Sequence, residues 1–377
     1  MPPLPQPRSG ERLQTKGRPT EFSYWPTKRL RAHAKIQPKL FALAPWGTLT
    51  SAVSKIREAT KMLEASACLK QAQDFYLVGT ERNVEAARPL ALYYCYMNLL
   101  KVYCLLRSDK QSFNDARHGI AEVSTGTFES TTLRAFRSPN QNKIQNFSEM
   151  MSVLTGSGLD GSHDYLLTHI LPQILPGHRI WCEATNERER FISFESIQFW
   201  QNKSDRCVWL NLYVYADDLS RLSRTHSEFL SQSGLEGNFR EVVCERANDG
   251  RRIICFEQVT PTTYPASHPA DALLELVAGV RHDLWATVSS VPPYRRYYAY
   301  LTPDAELESR LPQLLSIYAL TFQLGSVTRY RPQEYDKILE GKFGARIQDF
   351  VTGQPAQFLY LLSSEILQQD ITQPSII

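Results

Sequence analysis

The stretch of the chain at residues 85–107 has almost no charge and constrains the fold more than any other feature. Pro89 presets the φ angle of a first helical turn and lacks only an N–H that would be unpaired there, so we expect a helix to begin beside it. Apolar residues cover nearly every side of this helix, which is typical of a helix enclosed by others. About twenty such residues could cross a bilayer. Asn98 and Lys101 lie in the middle of the run, so we interpret it as the core of a soluble bundle.

The same helix carries polar side chains from which we predict a functional site. Tyr94, Asn98 and Lys101 are spaced i, i+4 and i+7, which places them on one face. A buried ammonium needs partners or loses its proton. Arg117 and His118 follow in a polar segment that we expect to form a loop or short helix at the end of the bundle. We therefore predict that His118, Arg117, Lys101 and Asn98 converge on one pocket at the end of this helix, and we count Tyr94 as a further candidate site residue.

The family resemblance given below implies RNA cleavage through the 2′-hydroxyl, which needs an acid, a base and a cation but no metal or other cofactor. His118 would act as acid or base, Lys101 or Arg117 would hold the phosphate, and Asn98 or Tyr94 would orient it. A structural interpretation stays open. In it, Asn98 and Lys101 hydrogen-bond neighbouring helix ends, and His118 is an ordinary loop residue.

A second polar cluster combines arginine with tyrosine. Its four arginines, which we predict to bind nucleic acid, are Arg295, Arg296, Arg329 and Arg331. Arginine beside aromatic rings suits phosphate binding and base stacking. Packing across a sheet would explain the residues near 296 equally well, so both interpretations stand.

The remaining pattern predicts an α+β protein, in which a helical bundle built from N- and C-terminal segments receives an inserted, mostly antiparallel β-sheet. The predicted parts are a basic, Pro-rich flexible arm at 1–40, a helical part at 41–155, a β-rich part at 156–301 and a helical part at 302–377. Short β-branched and aromatic runs predict strands at 190–200, 207–215, 239–246, 251–259 and 294–301. Within the β-rich part, we also expect helices at 219–232 and 269–288.

Alternation along the second predicted strand assigns its two faces. Val208, Leu210, Leu212 and Val214 should face the core, with the intervening residues on the other side. Asp217 and Asp218 follow this strand, and we expect them to begin a helix rather than to bind a metal.

Charge is concentrated at the N-terminus. Residues 1–39 hold nine basic and two acidic side chains, and since the whole chain carries +3, the remainder carries −4. The Pro-rich opening predicts an arm that is flexible to about residue 20. Such an arm either binds polyanions without sequence preference or is a solvated tail with no specific partner.

Several classes of protein are disfavoured. Seven scattered cysteines without a CxxC pair favour reduced thiols in a cytoplasmic protein. The N-terminus has no apolar leader, so we expect neither secretion nor membrane association. The sequence contains no GxxxxGK[ST], HExxH or GxSxG motif and no GxGxxG that opens a helix after a strand, which argues against nucleotide hydrolysis and zinc peptidase chemistry.

Five segments in a fixed order resemble the YaaC-like proteins of bacteria, and the resemblance covers roughly 41–370. They are ARPLALYYCYMNLLKVYCLL at 87–106, RHGI at 117–120, RRYYAYL at 295–301, LLSIYALTFQLGSVTRYRP at 314–332 and PAQFLYLLSSEI at 355–366. The helical part of this family looks like the HEPN superfamily, four-helix domains that often dimerise and often cleave RNA in bacterial conflict and antiphage systems.

The resemblance implies a nucleic-acid-directed protein that binds or cleaves RNA in bacterial stress or antiphage defence. Its implied partners are RNA or DNA, and a second copy of the chain or a protein from the same operon. The alternative is a non-catalytic structural or regulatory interaction module. The HEPN hallmark, Arg followed by His after four to six residues, is absent around His118. Arg221 and His226 match it at a frequency expected by chance, so a cleaving site here would depart from that pattern.

Overall fold

The chain folds into two compact units, each assembled from three separate segments. The sheet unit comprises residues 1–41, 188–304 and 368–372, and the helical unit comprises 42–187, 305–367 and 373–377. The structure, a computed structural model, describes residues 3–30, 33–123, 126–265 and 269–375, with only the backbone of Leu30 and His33.

Helices supply most of the helical unit. In chain order, the helices of the described residues are α1 (Trp46–Val53), α2 (Ala59–Thr80), α3 (Arg88–Arg107), α4 (Asn146–Thr155), α5 (Leu167–Ile170), α6 (His178–Thr185), α7 (Ala216–Arg221), α8 (His226–Ser233), α9 (Ala270–Ala278), α10 (Gln313–Tyr330), α11 (Pro332–Glu340) and α12 (Gly344–Leu367).

The strands of the described residues lie mostly in the sheet unit. In chain order they are β1 (Glu11–Arg12), β2 (Gln14–Thr15), β3 (Arg18–Pro19), β4 (Thr27–Leu30), β5 (His33–Ile36), β6 (Leu40–Phe41), β7 (Ile120–Glu122), β8 (Thr132–Ala135), β9 (His163–Leu166), β10 (Phe191–Ser193), β11 (Ser196–Asn202), β12 (Cys207–Tyr215), β13 (Phe239–Val242), β14 (Ala247–Asn248), β15 (Arg251–Gln258), β16 (Thr262–Thr263), β17 (Leu284–Val288), β18 (Arg295–Tyr300) and β19 (Ile371–Thr372).

The centre of the helical unit is α3, as the uncharged run predicts. The helix begins at Arg88 with Pro89 in its first turn, and most of its residues are buried. It packs against α2, α10 and α12. Gly325 permits the close approach of α10, because a Cβ there would lie 2.9 Å from Tyr93 Cβ. On the α12 side, the rings of Tyr96 and Phe358 stack with centroids 3.8 Å apart.

Antiparallel pairing organises the sheet unit. The main sheet has the order β1-β11-β12-β15-β13, and a second sheet has the order β10-β18-β17. Rings of Phe22 and Phe199, with centroids 5.7 Å apart, help to form the core. Phe22 also packs edge-on against Tyr297 at 4.9 Å. The predicted α+β class is confirmed: N- and C-terminal helices pack together, and a largely antiparallel sheet is inserted between them in the sequence.

The prediction of a flexible N-terminal arm is wrong for its described residues. Glu11 and Arg12 pair with Gln201 and Trp200 as an edge strand of the main sheet. Leu13 is only 2% exposed, so the segment contributes to the core. Composition misled the prediction because a short edge strand can be held by backbone hydrogen bonds to a neighbour and by one buried side chain.

The N-terminal segment is also held by polar contacts further upstream. The backbone N–H of Arg8 donates to Glu257 Oε2 at 2.7 Å. The Arg8 guanidinium donates to the carbonyl of Val259 at 2.9 Å. Positive charge that was assigned to a free arm is therefore partly committed to the sheet.

Two helix predictions in the β-rich part need correction. The single helix expected at 219–232 is two helices, because Thr225 forms a capping box with Glu228 and starts α8 afresh. The helix expected at 269–288 ends at Ala278. Leu284–Val288 is instead strand β17, paired with β18.

Strand β12 differs from the prediction that only one of its faces would point towards the core. Its core-facing set is buried as expected, but Trp209 on the other face is fully buried and Asn211 is 4% exposed. The strand is central in the sheet and is covered on both sides. The sheet unit also resumes at residue 188 rather than 156. Among the helices of the described residues, none combines the length and apolarity needed to cross a membrane.

Candidate functional site

His118 lies on a short loop that is pinned to the start of α4. Arg117 N donates to the carbonyl of Ile144 at 2.8 Å, and Phe147 N donates to the carbonyl of His118 at 3.2 Å. Gly119 follows with φ of +77°, and a Cβ there would lie 2.8 Å from Phe147 N. Only glycine fits this left-handed turn without strain, so Gly119 fixes the backbone position from which the His118 side chain extends.

The imidazole of His118 hydrogen-bonds through Nδ1 to the hydroxyl of Tyr93 on α3. Tyr93 is 5% exposed and also approaches Met97 Sδ, with its hydroxyl oxygen 3.7 Å away. The Phe322 ring of α10 lies beside both residues, 6.1 Å from the His118 ring and 5.5 Å from the Tyr93 ring. One edge of His118 is thus fixed in an aromatic setting, while the residue as a whole stays exposed.

Three cations act on the charge of this histidine. Burial of the ring edge that faces Tyr93 lowers the pKa of His118 below its usual 6.5, and the positive charges of Lys101, Arg329 and Arg117 lower it further. Each cation makes the protonated imidazole less favourable. His118 is therefore mainly neutral at pH 7. Burial, with a contribution from Tyr318, raises the pKa of Tyr93, so its hydroxyl keeps its proton.

The predicted pocket is only partly as expected. Lys101 and Arg117 act on His118, whereas Asn98 is buried in α3 and is not among the groups that do. Tyr94 accepts a hydrogen bond from Arg329 Nη1 at 2.9 Å. Its ring stacks on Phe75, with centroids 5.3 Å apart. Tyr94 therefore reaches the site through Arg329.

Sequence reasoning missed two members of this group. Tyr93 contacts His118 but was not among the predicted site residues, and Arg329 was assigned to the second cluster. The apolar stripe of α10 could have indicated Arg329. It predicts that α10 packs on α3, and a basic residue at the end of such a helix can reach the loop after α3. Here we call Tyr93, Lys101, Arg117, His118 and Arg329 the His118 cluster.

The second cluster divides between the two units. Arg295 is buried in the sheet unit, where Nη2 donates to the carbonyl of Ile371 at 3.0 Å and Nη1 lies 3.6 Å from Asp370 Oδ1. These contacts make it a structural residue and remove it from the predicted nucleic-acid set. Arg296 is exposed on β18 of the same unit.

The other two arginines of that cluster belong to the helical unit. Arg329 lies in the His118 cluster, and its guanidinium also lies 4.9 Å from the centre of the Tyr330 ring. Arg331 is paired with Glu122.

The residues to which the sequence analysis assigned no catalytic or metal-binding role all have carboxylate or arginine partners. Arg221 pairs with Glu189 at 2.6 Å, and His226 pairs with Glu241 at 2.6 Å. Asp217 lies in the first turn of α7 and pairs with Arg251. Among the described residues, no group of three or more His, Cys, Asp or Glu side chains is placed to hold a metal ion.

Fold and site together define an α+β protein whose helical unit presents a neutral imidazole among cations. The family model described as YaaC-like Protein matches residues 32–366, nearly the whole chain, and the chain belongs to this YaaC-like family. The search of curated proteins and the search of solved structures each found no match.

Proposed function

We propose that the helical unit binds RNA at the His118 cluster and cleaves it there without a metal. One observation carries the proposal: an imidazole held by a tyrosine hydroxyl lies within the electrostatic influence of Lys101, Arg117 and Arg329. The proposal extends to a HEPN-like role in bacterial stress or antiphage defence, which is supported by the resemblance of the helical segments.

The contact with Tyr93 supports a role for His118 in proton transfer. A tyrosine hydroxyl can both donate and accept, and Nδ1 is the ring nitrogen that it occupies. The opposite nitrogen, Nε2, is left for a substrate. When Nδ1 carries the proton and donates to Tyr93, Nε2 accepts the proton of a 2′-hydroxyl as a general base. When Tyr93 donates to Nδ1, Nε2–H is a donor to a phosphate oxygen.

The cations supply the electrostatic half of the reaction. The 2′-oxygen gives its proton to His118 and attacks phosphorus, and negative charge builds on the phosphate oxygens. The bond to the 5′-oxygen then breaks, and this oxygen takes a proton from the imidazolium and leaves as a hydroxyl. Lys101, Arg117 and Arg329 stabilise that charge. Bound phosphate also offsets their repulsion of an imidazolium, so the pKa of His118 rises on binding and favours proton uptake. The expected product ends in a 2′,3′-cyclic phosphate.

The test uses the full chain with labelled single-stranded RNA in the presence of EDTA. We expect cleavage to a cyclic phosphate end, and we expect His118→Ala to reduce its rate by about 10²–10⁴-fold while the melting temperature stays nearly constant. His163→Ala is the matched control, because His163 lies in the same unit, is half-buried and pairs with Asp160. It should leave cleavage unchanged.

Binding without cleavage has its own signature. Three cations on a single strand predict a slope of log K against log salt of about −2, and Arg329→Gln should reduce its steepness by about 0.7. Absence of both binding and cleavage at 50 mM salt would overturn the proposal. It would favour the alternative, a protein-interaction module, for which the exposed Leu63 and Leu77 of α2 are the observation in favour.

A further inference from the structure

A cavity of about 600 Å³ opens in the helical unit between the end of α10, α11 and the short 3₁₀ turn at Phe128–Ser130. Its size is in the range of small-molecule sites. No residue of the His118 cluster lines it. We propose that this cavity binds an uncharged nucleoside or nucleobase.

Two phenylalanines shape one wall of the cavity. The rings of Phe128 and Phe343 lie 5.9 Å apart between centroids and are tilted by 55°. Phe343 is 4% exposed, so its ring is held in place by its surroundings. Val327 and Ile338 add apolar surface. A planar aromatic ligand would pack on this wall with little loss of side-chain freedom.

A buried glutamine at the cavity has an amide oxygen that can accept a hydrogen bond from a ligand. Gln323 lines the cavity and is 1% exposed, and its Oε1 has no hydrogen-bond partner among the described residues. A buried polar atom without a partner costs free energy that a ligand can recover. The N–H edge of a heteroaromatic base is the donor that fits beside an aromatic wall.

The charges around the cavity are balanced. Its cationic side chains are Arg331, Lys337 and Lys342, and its carboxylates are Glu122, Glu129 and Glu334. Arg331 is paired with Glu122, and Lys337 with Glu334 at 2.8 Å. A polyphosphate would have to displace these pairs and approach three carboxylates. The lining therefore selects a ligand without net charge.

Isothermal titration calorimetry of the full chain with adenosine and guanosine, followed by AMP and ATP, tests the proposal. We expect one of the nucleosides to bind, and we expect its affinity to exceed that of the corresponding phosphates. Gln323→Leu should weaken nucleoside binding about tenfold or more, because the N–H of the base loses its acceptor. Gln348→Leu changes an exposed glutamine of α12 and should leave binding unchanged.

A second variant protects the test against misfolding of Gln323→Leu. Ile338 is half-buried on α11 at the cavity, and Ile338→Trp should fill the cavity and abolish binding. Adenosine and guanosine that fail to bind at about 1 mM, or that bind Ile338→Trp as well as the wild type, would overturn the site. Tighter binding of ATP than of adenosine would overturn the uncharged ligand. His118→Ala should bind nucleosides normally, which separates this site from the RNA proposal.

Discussion

At the residue scale, Tyr93 shows how one position along a helix decides a site. The stripe Tyr94, Asn98 and Lys101 lies on the same helix as Tyr93, and the charge of Lys101 lowers the pKa of His118. Successive residues on a helix differ by about 100° around its axis. The hydrogen bond to the loop is therefore made by Tyr93, whereas Tyr94 points towards Phe75 and Arg329. Spacing alone could not fix the rotation of α3 relative to the loop.

The first prediction concerns the pKa of His118. Burial and three cations lower this pKa, and Arg329 is the second of the cations in effect. We expect Arg329→Gln to raise the pKa of His118 towards its usual 6.5, with burial keeping it lower. An NMR titration of the imidazole measures the change. Arg137→Gln removes an exposed arginine of the same unit and should leave the pKa where it is.

The same shift has a consequence for stability. Because the pKa of His118 is lower in the folded chain than in the unfolded chain, the unfolded chain binds more protons below pH 6.5. The free energy of unfolding therefore falls as the pH drops from about 6.5 to the lower pKa that His118 has in the folded chain. Arg329→Gln should make this fall shallower. An unchanged pKa in Arg329→Gln would show that Arg329 does not act on the imidazole.

At the element scale, the contact between α3 and α10 positions the His118 cluster. Gly325 lets α10 approach so closely that an added Cβ would lie 2.9 Å from Tyr93 Cβ and 3.3 Å from the carbonyl of Pro89. The neighbour is the tyrosine that holds His118. A change at Gly325 therefore acts on both packing and site.

The second prediction compares two glycines inside helices. Gly325→Ala should lower the free energy of unfolding by about 1–3 kcal/mol, because α10 must move away from Tyr93. Gly353 of α12 has nothing within 4 Å of an added Cβ. Gly353→Ala should instead stabilise by up to about 1 kcal/mol, since alanine favours the helix. Urea unfolding measures both variants, and a Gly325→Ala protein as stable as Gly353→Ala would contradict the close approach.

Element existence was more predictable than element limits. The uncharged run 85–107 identified α3, and short runs of β-branched and aromatic residues identified β12 and β15. The break between α7 and α8 depends on the cap at Thr225, and strand β17 depends on pairing with β18. Edge strand β1 depends on a partner almost two hundred residues away in the chain. Periodicity within a short window cannot contain these distant contacts.

At the scale of the whole molecule, the chain passes between its two units several times. The last visit to the sheet unit is short, residues 368–372, and it follows the long helix α12 of the helical unit. Hydrophobic pattern indicated that the terminal helices share a bundle. The hydrophobic pattern did not indicate that five residues near the end return to the sheet unit. These residues are held there by a few specific contacts, which leave no periodic pattern in the sequence.

The last prediction tests that return. Strand β19 pairs in parallel with β6, and the buried Arg295 donates to the carbonyl of Ile371 and lies 3.6 Å from Asp370 Oδ1. Truncation after Leu367 removes these partners and leaves a buried guanidinium without its carboxylate. We expect it to destabilise the sheet unit by on the order of 3 kcal/mol or more.

Truncation after Thr372 is the control, because it keeps β19 and Asp370 and should cost much less. Four of the six tryptophans, Trp25, Trp200, Trp209 and Trp285, lie in the sheet unit. Urea unfolding followed by tryptophan fluorescence therefore reports mainly on that unit. Equal midpoints for the two truncated proteins would mean that residues 368–372 do not stabilise it. A lower midpoint only for the protein truncated after Leu367 would show that five residues near the C-terminus complete a sheet whose strands lie far upstream.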